Sequence, residues 1–300
     1  MVEPELCEKT IQQQVSITGI GLFTGQTVQV TLCPASPGTG IVFKRVDLPG
    51  CPEIPATLDV VVPSTRCTKL AVQNASVQMV EHLLSALAAF ELDNVVVEVR
   101  GPEIPSGDGS SLVFVRAIEQ AGVVSQPAER RWLKIGAPIS WSQGDVHLVA
   151  LPAPELRISY MLHYPQSELV GSQFYSFSLT AERYKEEIAP CRTFSFYEEI
   201  APLIAQGVIK GGALENALVI KGDRIMNPEG ARFPDEMVRH KILDLLGDLA
   251  LIRRRVLGHI IALRAGHSSH IAFAKELLAV SLAGEERNEV FSNSYVLENC

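Results

Sequence analysis

The 300-residue sequence contains no Cys-x-x-Cys pair; its six cysteines, Cys7, Cys33, Cys51, Cys67, Cys191 and Cys300, are scattered. That spacing suggests neither a zinc ribbon nor a disulfide scaffold, and isolated thiols fit a reducing compartment. Long apolar runs are missing as well. Those present are strand-sized, such as Val95-Val96-Val97, so no transmembrane segment is expected. The N-terminal residues MVEPELCEK are charged and lack the apolar core of a signal peptide, which makes the cytoplasm the expected location. An excess of basic charge is also absent. With 26 Lys and Arg against 34 Asp and Glu, the net charge is −8, which argues against broad nucleic-acid binding but leaves room for a local basic pocket. What remains is 47% hydrophobic and 20% charged, a globular composition with enough chain for one large domain or two ordinary ones.

Residues 11–62 read as strands and turns, with Thr27–Leu32 alternating at period two and Ile41–Phe43 following a Pro/Gly-rich turn. A helix is expected over 76–90, a strand over 94–100, a Gly/Pro loop over 101–109 and a helix over 112–120. The segment 124–131, with Pro127 and a charge cluster, breaks the pattern and is read as the boundary between a first unit (1–125) and a second (132–300). In the second unit strands are expected over 135–139, 147–151, 157–162 and 173–177. Helices are expected over 196–206 and 235–254, a strand over 259–264, and a helix from the turn at 265–268 to about residue 282. Both halves therefore read strands, helix, strand, Gly-containing loop, helix. The fold class expected is α+β, as a duplicated unit.

The most specific stretch is Asp235-Glu-Met-Val-Arg-His-Lys-Ile-Leu-Asp-Leu-Leu-Gly-Asp248. It sets His240, Asp244 and Asp248 at four-residue steps on one helical face, where a His and an Asp one turn apart can grip one metal ion. Val238, Ile242, Leu245, Leu249 and Ile252 form the opposite, apolar face. In the first half, His82 lies roughly opposite the apolar stripe Val80, Leu83, Leu84, Leu87, beside Met79, Ala86 and Ala89. Two such helices, covered on both sides, would bring His82 to His240 and Asp244 if the units pack helix layer to helix layer. Two histidines and one carboxylate are a catalytic rather than a structural zinc set, with one position left open. Glu81 is then the natural general base. His267, in a turn at a helix start, could stabilise an oxyanion or protonate a leaving amine, with Asp248 as its counter-charge. Each element alone has a structural reading: a lone Glu-His pair, an isolated His-x-x-x-Asp, or a helix-capping histidine. The combination carries the argument. His147, His163, His259 and His270 have no such context and read as structural or surface residues. The block Gly19-Ile-Gly-Leu-Phe-Thr-Gly25 has the wrong spacing for a dinucleotide loop and leads into a strand; it reads as a tight turn, as does Gly211-Gly212.

Taken together, several blocks resemble the zinc-dependent UDP-3-O-acyl-N-acetylglucosamine deacetylases of lipid A biosynthesis. They are Gly19–Gly25, Glu81-His-Leu-Leu-Ser-Ala-Leu87, Arg192-Thr-Phe194, Gly211-Gly212, Asn227-Pro-Glu-Gly230, Val238–Asp248 and Gly266-His-Ser268. The resemblance spans about residues 11–275. It implies two similar domains, each a β-sheet with helices, with the helices sandwiched between the sheets. It implies hydrolysis of an N-acetyl group, giving acetate and a free amine, with His82, His240 and Asp244 as ligands of Zn2+ (or Fe2+). Glu81 resembles the general base, His267 the acid or electrostatic partner supported by Asp248, and Thr193 a group that helps hold the oxyanion. Lys241 and Phe194 match substrate-contacting positions, Gly212 lies where the acyl chain passes, and Arg264 stands where the family often has Lys. The partner implied is an acylated UDP-sugar bound by a monomeric, cytoplasmic enzyme, with no nucleic acid. In two places the chain departs from the family pattern: Phe23 replaces the usual His, and Ala213 a common Ser.

Overall fold

The computed structural model describes residues 6–297, with side chains to residue 283, so most of the N-terminal segment read for targeting and Cys300 lie outside it. Two open sheets dominate. The first orders its five strands Val15–Ile20, Thr27–Pro34, Val95–Arg100, Ile41–Arg45 and Glu53–Pro55. The second runs Ile139–Gln143, Val146–Leu151, Arg255–Leu263, Leu156–Tyr164 and Gly171–Ser178, with Trp132–Lys134 as a sixth strand beside Arg255–Leu263. In each sheet an antiparallel hairpin leads to the last strand of the unit, which lies parallel to the third strand, and the third pairs antiparallel with the fourth. The two halves thus share strand order and sense, although their residues barely repeat.

The helices are α1 (Glu81–Ala89), α2 (Leu112–Ala121), the short α3 (Ala181–Arg183), α4 (Tyr197–Ala205), α5 (Glu236–Leu249) and α6 (His267–Leu297). α1 packs on α5, α2 on the strand Val15–Ile20, and α5 on the strands Leu156–Tyr164 and Gly171–Ser178 as well as on α6. Of α1, every residue except Ala88 is buried, and in α5 only Arg239 and Lys241 escape burial. Helices enclosed on both sides are what their two-faced sequences require. Val238, Ile242, Leu245, Leu249 and Ile252 are all buried. At about 2 kcal/mol each, their burial contributes on the order of 10 kcal/mol, which offsets the cost of burying the polar stripe between them.

Several expected elements move. The helix begins at Glu81, because Ala75–Gln78 is a strand paired with Lys69–Val72 through a turn in which Gln73 takes a left-handed φ of 51°. The strand expected over 135–139 is split into Trp132–Lys134 and Ile139–Gln143, since Gly136 and Pro138 interrupt a ladder that needs N–H donors. The boundary segment forms a strand: Val123–Glu129 pairs antiparallel with Cys7–Ile11, and Pro127 sits where the register shifts between Cys7 and Lys9. α5 closes in a 3-10 turn, Ala250–Ile252, and Arg253 at a φ of 58° turns the chain into a strand that starts at Arg255, earlier than expected. α6 runs to Leu297, beyond the expected end. A small sheet, Phe194–Phe196, Leu218–Lys221 and Arg224–Ile225, forms a wall of the cavity described next.

Candidate metal centre and cavity

α1 and α5 meet so closely that a Cβ on Gly247 would lie 2.1 Å from the carbonyl oxygen of Glu81. Glycine at this one position lets the first turn of α1 rest on α5. The contact brings His82 to α5: its Nε2 is 3.8 Å from Asp244 Oδ1, and His240 Nε2 is 3.3 Å from the same atom. With zinc bonds of about 2.0–2.1 Å, tetrahedral ligand atoms lie roughly 3.3 Å apart, so this set fits one ion. The protonation states fit as well. Burial and the neighbouring His240 push His82 down to about 3, which keeps its imidazole neutral. Burial alone would raise Asp244, but Lys241, His240 and His267 outweigh it and hold the carboxyl well below its usual range. His240 Nδ1 donates to the Cys191 carbonyl at 3.0 Å, which leaves the Nε2 lone pair for a metal. Asp244 Oδ2 accepts from Lys241 Nζ at 2.8 Å.

Glu81 is buried beside this set. Burial, aided by Asp248 and Asp244 and opposed by His267, lifts its carboxyl to about 7. Its Oε2 accepts from the Thr68 N–H at 3.0 Å, while Oε1 lies 3.7 Å from His267 Nε2. On the other side of that ring, His267 Nδ1 donates to Asp248 Oδ2 at 2.8 Å. Burial opposes a charge on His267, yet Asp248, Asp244 and Glu81 override it and raise the imidazole to about 9. Asp248 also accepts from Thr68 Oγ1 at 2.6 Å and from His270 Nδ1 at 2.8 Å. Asp248, His267 and His270 are close enough to form a second potential metal set, but the Asp248 oxygens are already taken up by these donors.

The protonated His267 stabilises the fold in the window that its raised pKa defines. The contribution is complete below the ordinary imidazole value of about 6.5 and is lost as pH rises through about 9. In chelator-treated protein, Asp248→Asn should therefore move the NMR titration of His267 to lower pH and flatten the loss of stability between neutral pH and 9. An unchanged His267 titration would refute this account of the ring.

The centre forms the floor of a cavity of about 470 Å3. Thr193, Lys241 and Gly212 line it, as do Phe194 and the apolar Leu22, Phe23, Ile200, Ile204 and Ile209. Thr193 is fixed through its backbone, its N–H donating to Gly109 O and its carbonyl accepting from Leu218 N. The preceding Arg192 is buried on Glu236 and also reaches Glu229 and the Gly230 carbonyl. Asn227 ties the lining loop through the carbonyls of Leu214 and Ala217. Phe23 donates its backbone N–H to the buried Glu103, and its ring contributes apolar wall. Lys210 N–H and Gly211 N–H donate to the carbonyls of Phe23 and Leu22, so the two glycine-containing turns pack on each other. Met79, in the left-handed region at φ 62°, also lines the cavity just before α1.

Arg264 is placed elsewhere. It is largely exposed, pairs with Asp145 at 3.6 Å and does not line the cavity. Arg66, which the sequence did not single out, lines the cavity and pairs with Glu199 at 2.6 Å. Two other contributors were missed. His270 lies three residues from His267 on the same helix, a spacing that was a usable signal. Thr68 touches Glu81, Asp248 and His267 and had no local signal at all.

A buried set of two histidines and a carboxylate that could hold a metal ion, with a carboxylate of raised pKa beside it, is the arrangement of a hydrolytic site. The comparisons with known proteins narrow this. The model of the UDP-3-O-acyl N-acetylglycosamine deacetylase family matches residues 8–279, and the chain belongs to that family. It is similar to the UDP-3-O-acyl-N-acetylglucosamine deacetylase of Chlamydia felis, at 46% identity over 91% of this chain and 98% of the relative. The enzymes of that name from Chlamydia pneumoniae (44% identity, 91% of this chain and 98% of the relative) and Chlamydia trachomatis serovar L2 (40%, 90% and 94%) are also similar. The protein is a deacetylase. Among the described residues no helix is long and apolar enough to cross a membrane.

Proposed function

We propose that the chain hydrolyses the N-acetyl group of a UDP-3-O-acyl-N-acetylglucosamine, releasing acetate and the free 2-amine, in lipid A biosynthesis. The observation that carries this reading is a single cavity in which His82, Asp244 and Glu81 form the floor, with His240 completing the ligand set behind them, and apolar side chains form the walls. An apolar wall suits a fatty acyl chain, and Arg66 and Lys241 suit a diphosphate. Zinc, or iron(II), held by His82, His240 and Asp244 would polarise the acetyl carbonyl and acidify a water. The residues of the chain do the rest. Glu81, with Oε2 fixed by Thr68, takes the water proton on Oε1, and a carboxyl near 7 is matched to that task. Thr193 donates to the developing oxyanion. His267, held protonated by Asp248, gives its proton to the leaving amine. Phe194, Lys241 and Gly212 contact the substrate. Arg264 would act only at the periphery, given its place on Asp145. The reading takes residues 1–125 and 132–300 as the two domains and the enzyme as a cytoplasmic monomer.

The test is acetate release from the acylated UDP-sugar before chelation, after it, and after zinc is restored. Release is expected to fall to background on chelation and to return with zinc. If metal-replete protein releases no acetate, the proposal fails; if it deacetylates the unacylated sugar with equal efficiency, the acyl channel is wrong.

A further inference from the structure

Given the acylated substrate read above, on which this inference rests, we propose that Glu103 is the positioning residue behind a preference for long acyl chains. Glu103 belongs to the loop 101–109, which the sequence offers only as a Gly/Pro connection, and it is fully buried. A buried carboxylate needs donors to satisfy it, and here they come from the turn 21–25. Oε2 accepts from the Phe23 N–H at 3.0 Å, and Oε1 accepts from the Thr24 N–H at 2.8 Å and from Thr24 Oγ1 at 2.6 Å. Gly21 makes room for the carboxylate, since a Cβ there would lie 2.1 Å from Oε1. The loop is itself anchored on both sides of Glu103. Ile104 N–H donates to the Gln78 carbonyl and Gln78 N–H to the Pro102 carbonyl, just before α1 begins. Ser106 donates to the Ile20 carbonyl through both its N–H and its Oγ.

A large part of the apolar wall hangs on this turn. Leu22 and Phe23 line the cavity directly, and their carbonyls accept from Gly211 N–H at 3.0 Å and Lys210 N–H at 3.2 Å. The Gly21 carbonyl oxygen lies only 2.1 Å from where a Cβ of Gly211 would be, so the loop 209–214 rests on the backbone of the turn. That loop brings Ile209, Gly212, Ala213 and Leu214 to the same cavity. The preceding α4 has no buried residue to hold it, and the other tie on Gly211 is Asn216 Nδ2 at 2.8 Å from its carbonyl. Glu103 does not line the cavity. It acts through Leu22, Phe23 and the loop, at the wall rather than at the reacting atoms.

An amide offers one acceptor oxygen where a carboxylate offers two, so Glu103→Gln leaves either the Phe23 or the Thr24 N–H facing an NH2 group. In the metal-replete full chain this variant should raise KM for UDP-3-O-dodecanoyl-N-acetylglucosamine about tenfold, the size expected for a lost hydrogen bond to a charged acceptor. Its kcat and metal content should stay at the parental level, the pattern of binding lost equally from ground and transition states. KM for the 3-O-butanoyl sugar, whose chain leaves most of the wall uncovered, should stay near the parental value. Gly21→Ala presses a Cβ on Oε1 from the other side and should give the same split. The two substitutions together should cost no more than either alone, because they break one contact. The proposal is overturned if both variants keep the parental KM for the dodecanoyl sugar, if KM rises equally for both sugars, or if the two effects add. It is equally overturned if both variants melt below the parent and lose metal and kcat on both sugars, since Glu103 would then hold the fold alone. A parental protein that releases no acetate from either sugar defeats the functional reading itself, and this proposal with it, which separates the two failures.

Discussion

Glu81→Gln should lower kcat by two to four orders of magnitude while metal content stays at the parental level. The amide has the shape of the carboxylate and can still accept the Thr68 N–H, so the first turn of α1 should keep its place. What it cannot do is take a proton, and general-base catalysis is worth about 10²–10⁴-fold. Folding should not suffer. The carboxyl is raised to about 7, mainly by burial, so the stability that its protonated form supports is complete below the unfolded value of about 4.3 and is lost as pH rises through 7. The uncharged amide has no such loss, and chelator-treated Glu81→Gln should melt no lower than the parent at pH 8. His240→Ala provides the contrast, since it should lose bound metal as well as activity. A Glu81→Gln protein with more than about a tenth of parental kcat would remove Glu81 from the role of base, given the size of that effect.

Gly247→Ala should disable the centre without touching any functional group. Within an α-helix, alanine is favoured over glycine by about 1 kcal/mol, so propensity alone would make this variant more stable. The tertiary contact reverses the sign. The new Cβ would sit 2.1 Å from Glu81 O and 2.8 Å from Glu81 C. These are backbone atoms, which cannot swing aside as a side-chain tip can. α1 must therefore move off α5, carrying Glu81 and His82 away from Asp244, and overpacking of this kind costs about 1–3 kcal/mol. A displacement near 1 Å in a catalytic constellation can cost roughly 10²-fold in rate. We expect a lower Tm, weaker metal retention and a kcat reduced by about that factor. Gly136→Ala is the control, because a Cβ there meets nothing within 4 Å. Parental metal retention and kcat in Gly247→Ala would show that the α1–α5 contact does not set the geometry of the centre.

The parts of this site that were legible in the sequence are those built within one helix. His240 and Asp244 could be paired because four residues are one turn, and Asp248 could be placed one turn further along. The same spacing rule made His270 readable, and it was passed over for want of context. Thr68 could not be found this way: it reaches Glu81 and Asp248 only because the sheet Val61–Val62, Lys69–Val72, Ala75–Gln78 folds over the start of α1. The apolar wall contributed by Tyr197, Ile200 and Ile204 of α4 had no buried residue to mark its role, since all three keep some exposure where they line the cavity. Arg264 shows the converse failure, a motif position whose side chain the left-handed backbone at φ 54° places beside Asp145 instead of in the cavity.

By itself the sequence determined the alternation of strands and helices, the two-faced character of α1 and α5, and the kinds of side chain available for metal binding. Periodicity records which residues face inwards, because backbone geometry repeats every 2 or 3.6 residues. It does not record which buried face meets which. The shared strand order of the two sheets, the strand made from the expected boundary segment, and the meeting of His82 with Asp244 were decided by tertiary packing. Each needs two distant segments to bury complementary surfaces at once, and at the centre the decisive complement is a missing Cβ at Gly247.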